Sequence, residues 1–114
     1  MKTDLNYLKT MSGNSTDLMS EMIDLFSEQV DVYTAEMQRL LDNKDYEALG
    51  KLAHKAKSSV AIMGMGELSR RLKQLEINTK DLSNLTSYQE TVNFFKSECH
   101  DAIIELREFK NQLS

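Results

Sequence analysis

The stretch KLAHKAKSSVAIMGMG, residues 51–66, decides how this chain is read. It holds good helix formers and closes with two glycines in three positions, which suits the end of a helix that begins near Asp45. Successive residues on a helix stand about 100° apart, so Leu49, Leu52, Ala53, Ala56, Val60 and Met63 share one arc of about 80°. That arc is the expected core face of a helix over residues 45–63. His54 falls about 150° from its centre and therefore points outward. A core histidine satisfied by a backbone carbonyl does not fit this geometry.

The neighbours of His54 are unusual for a solvated face. Gly50, Ser58 and Ala61 share its outward strip, where Glu, Lys or Gln would be better helix formers. Small residues there leave room for another molecule to approach. Lys51, Lys55 and Lys57 surround the imidazole with positive charge that attracts an anion. Ile62 and Met65 sit at the edge of the face, where apolar side chains can meet a partner. A neutral imidazole is a good nucleophile near neutral pH, so an exposed one among cations suits phosphoryl capture. A surface histidine without chemistry is the plain alternative.

Working outward, the rest of the chain is also helical in pattern. There is no proline and there are only four glycines. A short helix is expected over residues 3–10, with Leu5 and Leu8 as its apolar contacts, and SGNST then turns the chain. Residues 17–41 carry a stripe of Leu18, Met22, Leu25, Phe26, Gln29, Val30, Tyr33, Met37, Leu40 and Leu41. DNKD ends that helix and supplies the next cap. GMG at 64–66 separates the quoted helix from one over residues 67–80, striped by Leu68, Leu72, Leu75 and Thr79. DLSNLT reads as a loop. Thr86 with Gln89 and Ser87 with Glu90 offer capping boxes for a last helix, whose seam is Tyr88, Val92, Phe95, Cys99, Ala102, Leu106, Phe109 and Leu113. The expected architecture is an all-α, antiparallel, up-and-down four-helix bundle preceded by a small accessory helix, forming one domain over residues 1–114.

Bulk properties narrow the function. A formal charge of −4 argues against general nucleic-acid binding, which calls for a basic surface. No apolar run is long enough to cross a membrane, and the start of the chain lacks a signal peptide's apolar centre, so a cytoplasmic monomer is expected. The single cysteine, Cys99, suits a reducing compartment and reads as a buried small hydrophobe. Two histidines and one cysteine, far apart in sequence, make a poor metal inventory, so no metal or other cofactor is expected. His100 reads as a boundary or solvated residue, and Arg70–Lys73 as a solvated basic face.

The segment LAHKAKSSVAIMGMGELSRRLKQLE resembles the histidine phosphotransfer (HPt) domain signature. In that pattern His is followed three residues later by Lys, then by small residues, and ten residues later by Gly. Here these are His54, Lys57, Ser58 with Ser59, Ala61 and Gly64. The resemblance extends over nearly the whole chain, including DLNYLKTMSGNSTDLMSEMIDLF. It implies that His54 accepts a phosphoryl group from an aspartyl phosphate on a receiver domain, and that Lys57 supports that group. It also implies response regulator receivers and a hybrid sensor kinase as partners, with Mg²⁺ supplied by the receiver. Glu76 stands where the family often has Gln beside the histidine ring. Ser58 replaces a usual Gly and Ala56 a commoner Leu.

Two rivals remain in view. The phosphoacceptor region of a histidine kinase resembles a pattern of His, an acidic residue and a nearby Pro, whereas Lys55 follows His54 here and no proline exists. A non-catalytic helical adaptor would use Ile62 and Met65 simply to bind a partner. GMG lacks the preceding strand and lysine of a nucleotide loop, so ATP is not expected to be a substrate.

Overall fold

The computed structural model describes residues 2–113. Five α-helices follow one another: α1 (Asn6–Met11), α2 (Thr16–Asp42), α3 (Tyr46–Ile62), α4 (Gly66–Asp81) and α5 (Tyr88–Leu113), with a 3₁₀ turn at Leu85–Ser87 before the last. No strand occurs among the described residues. The connections at 43–45, 63–65 and 82–84 are too short for anything but a reversal of direction. Each of α3, α4 and α5 therefore runs antiparallel to the helix before it, and α5 returns to pack against α2 and close the ring. The molecule measures 45 × 21 × 21 Å, the shape of a four-helix bundle.

Local sequence sets the helix ends. The Ser15 side chain accepts from the Leu18 N–H to start α2, and the Asp45 carboxylate accepts from the Ala48 N–H to start α3. Gly64 adopts φ +73°, a left-handed conformation that glycine tolerates best. Tertiary packing adds a second reason for glycine there. The N-terminal strap crosses at this point, its Asp4 N–H donating to the Met63 carbonyl at 3.1 Å, and a Cβ on Gly64 would overlap the Asp4 backbone. Leu8 of α1 is fully buried, with Leu5 partly so, and together they anchor the accessory helix to the bundle.

The core is one cluster drawn from every helix, and α3 to α5 contribute most of the residues that the periodicity predicts, with Leu52, Phe109 and Leu113 only partly buried at its margin. Leu49, Ala53, Ala56 and Val60 of α3 are buried, as are Leu68, Leu72, Leu75 and Thr79 of α4. On α5 the buried seam is Tyr88, Val92, Phe95, Cys99, Ala102 and Leu106. Burial in apolar surroundings pushes the Cys99 thiol up to about 12, which suppresses the reactive thiolate. The Tyr88 hydroxyl lies 2.7 Å from the Ser83 carbonyl and 3.0 Å from that of Asn78, tying the α4–α5 corner to the core.

Three expectations need correction. On α2 the stripe is rotated in its first half: Met19 and Ile23 are buried, while Leu18 and Leu25 are 40% and 54% exposed. Apolar residues occur there on two adjacent faces, and packing against α3 and α5 selects between them. The accessory helix begins at Asn6 rather than Thr3, because residues 2–4 form the extended strap held by Glu105. The capping boxes at Thr86 and Ser87 do not form. The Ser87 hydroxyl instead donates to the Asn84 carbonyl within the 3₁₀ turn that leads into α5.

Candidate functional site

His54 lies in the middle of α3, on the side that faces α4. Its side chain is 65% exposed. Nδ1 stands 2.6 Å from Glu76 Oε2, and the other carboxylate oxygen accepts from Lys57 Nζ at 3.0 Å. Glu76 therefore joins the imidazole to the ammonium. The arrangement follows from helical spacing: His54 and Lys57 are three residues apart on one face of α3. Glu76 is four residues from Leu72 and adjacent to Leu75, at the margin of the stripe that α4 buries. It is 17% exposed, and its reach across the seam is short.

The electrostatics are coherent. Lys57, by hydrogen bond and charge, holds the Glu76 carboxyl below its ordinary range, outweighing the partial burial that would raise it, with a smaller contribution from His54. A carboxylate at Nδ1 makes that nitrogen the donor in a neutral ring. Nε2 then carries the lone pair.

Beside the imidazole is an open hollow of about 660 Å³ between α3 and α4, with Gly50 at its floor and Glu47, Lys51, His54, Glu76, Thr79, Lys80 and Leu82 around it. Lys51, Lys55, Ser58 and Ala61 are exposed as expected. Lys57 is half-buried against Glu76, and Ile62 is half-buried against the core.

Gly50 and Met65 are not on the outward surface. Gly50 is buried against α4, where a Cβ would overlap Thr79 Oγ1 and stand 3.2 Å from its Cβ. Met65 is 4% exposed and belongs to the core at the α3–α4 turn, beside the equally buried Met63. Single-helix geometry errs here because α3 has two buried sides, one toward the bundle centre and one toward α4. Lys80 and Leu82 are site-bordering residues that periodicity could not reveal, since only the pairing of α3 with α4 brings them near His54. His100 is exposed and Cys99 buried.

Among the described residues, no cluster of three or more His, Cys, Asp or Glu side chains could hold a metal ion, and no helix is long and apolar enough to cross a membrane.

The chain matches the Hpt domain over residues 21–109, most of its length, and belongs to that family. Hpt domains carry phosphoryl groups in phosphorelays and are not kinases; receiver domains and kinases are their typical partners. Comparison with curated proteins and with solved structures found no match.

Proposed function

We propose that this chain is a monomeric cytoplasmic phosphorelay intermediate. His54 takes the phosphoryl group from the aspartyl phosphate of one receiver domain and passes it to another. The observation that carries the reading is the exposed imidazole whose Nδ1 is held by Glu76 at 2.6 Å. That hydrogen bond leaves Nε2 as the nucleophile. Its lone pair forms the N–P bond as the P–O bond to the receiver aspartate breaks, and the carboxylate leaves with the electron pair. The receiver contributes Mg²⁺ for the charge on the transferring oxygens.

Lys57 offers further positive charge within reach of the site, and Glu76 steadies the ring. The receiver docks over the exposed part of α3, touching Lys51, Lys55, Ser58, Ala61 and the edge of Ile62. The cationic side chains there suit an acidic receiver pocket.

Incubation with phosphorylated receiver domains tests the reading. Label should reach His54, be lost in acid, and be absent from a His54→Gln variant that keeps its helical signal. A label that survives acid but is released by hydroxylamine would mark a carboxylate and sink the assignment. A His54→Gln variant that still supports signalling would favour an adaptor.

A further inference from the structure

The pairing of His54 with a carboxylate has a consequence for the phosphorylated protein. When Nε2 attacks phosphorus, the ring keeps its Nδ1 proton and becomes a phosphorylated imidazolium cation. No base is needed for that step. The lability of the new bond depends on whether the cation then releases its proton. From the cation, breaking the P–N bond expels a neutral imidazole. From the deprotonated ring, the same break expels an imidazolate, a far poorer leaving group. The group at Nδ1 therefore governs how readily the phosphoryl group leaves.

We infer that Glu76 keeps the phosphorylated His54 ring protonated at Nδ1, so the P–N bond stays ready to break from neutral into mildly alkaline conditions. The inference rests on His54 being the phosphoacceptor. An anionic acceptor 2.6 Å from Nδ1 favours the charged form of the ring much more than a neutral amide of the same shape. The carboxylate must itself stay ionised, and Lys57 on its other oxygen ensures that.

The surrounding charges are few. On α3 they are Glu47, Lys51, Lys55 and Lys57, and on α4 Glu76 and Lys80. Glu47 and Lys51 pair with each other at 3.5 Å while both are well exposed, where water screens them. Lys55, Lys57 and Lys80 act against the cation, Lys55 from an exposed position where water screens it. Glu76 is thus a positioning residue in a particular sense: it orients the ring and also sets the protonation state from which the phosphoryl group is given away.

The full chain, ¹⁵N-labelled and phosphorylated with phosphoramidate as a small donor, provides the test. The ¹⁵N shifts of the His54 ring report the Nδ1 proton between pH 6 and 9, and ³¹P signals report loss of the phosphoryl group. In the wild-type protein the proton should persist at least one pH unit higher than in a phosphohistidine peptide. In Glu76→Gln it should be lost at peptide-like pH. Hydrolysis at pH 8 should then slow about tenfold, one unit of proton retention corresponding to a tenfold population change. Wild-type and Glu76→Gln proteins titrating together would overturn the inference while leaving the phosphocarrier reading intact. A wild-type ring titrating like the peptide would do the same without relying on any variant. Phosphoramidate placing no phosphate on His54 would overturn both, and that outcome is recognisable before any titration begins.

Discussion

Gly50 of α3 meets Thr79 of α4 so closely that no side chain fits between them. The Thr79 hydroxyl donates to the Glu76 carbonyl at 2.9 Å, one turn back along α4. The glycine therefore sets the distance between two helices at the level of the His54 partner. Placing alanine there should improve intrinsic helix propensity by up to about 1 kcal/mol. It should also displace Thr79 or push α4 outward, at about 1–3 kcal/mol, the usual scale for overpacking. The expected outcome for Gly50→Ala is a net loss on the order of 1 kcal/mol in urea unfolding, together with slower phosphoryl acceptance as Glu76 is moved from the ring. An unchanged midpoint and an unchanged rate would show that the seam yields without consequence.

The ion pair of Lys57 with Glu76 should be visible as a pH dependence. The carboxyl is held below its ordinary value of about 4.5 in the folded protein. A depressed carboxyl contributes stability that is fully present above the unfolded value and is lost as pH falls through the folded one. Lys57→Met removes the chief cause of the depression. Thermal melts of the two proteins should differ most above pH 5 and converge as pH falls toward 3. In ¹³C titrations the Glu76 carboxyl should move upward in the variant. A gap that widens in acid would contradict the assignment.

The rotated stripe on α2 separates two neighbouring apolar residues. Ile23 is 1% exposed and Leu25 is 54% exposed. Ile23→Ala should cost about 2–5 kcal/mol, the range for emptying a packed aliphatic site. Leu25→Ala should stay within about 0.5 kcal/mol, as surface changes usually do. Chemical denaturation of both variants checks this, and equal losses would mean that the stripe had been placed on the wrong face.

Much of this protein was legible from residue order alone, because the relevant forces act within a turn or two of chain. Asp45 and Ser15 cap helices through their own following N–H groups, and glycine at 64 marks a stop. The stripes of α4 and α5 repeat so regularly that only one face can be buried. His54 could be turned outward on the same grounds, since its angle from Leu49, Ala53 and Val60 is a property of one helix. Matching Glu76 to a place beside the ring, however, came from family resemblance rather than periodicity.

The rest belongs to the packing of one helix on another. Both candidate faces at the start of α2 carry apolar residues, and no local rule chooses Ile23 over Leu25. Gly50 and Met65 looked outward from the axis of α3 but are covered by neighbours, because a helix inside a ring of four is flanked on more than one side. Only the tertiary structure brings the Glu76 carboxylate to Nδ1 of His54 and to Lys57 at once. Its two oxygens bind groups from a different helix, and the closeness of that approach depends on two residues, Gly50 and Thr79, that lie 29 positions apart in the sequence.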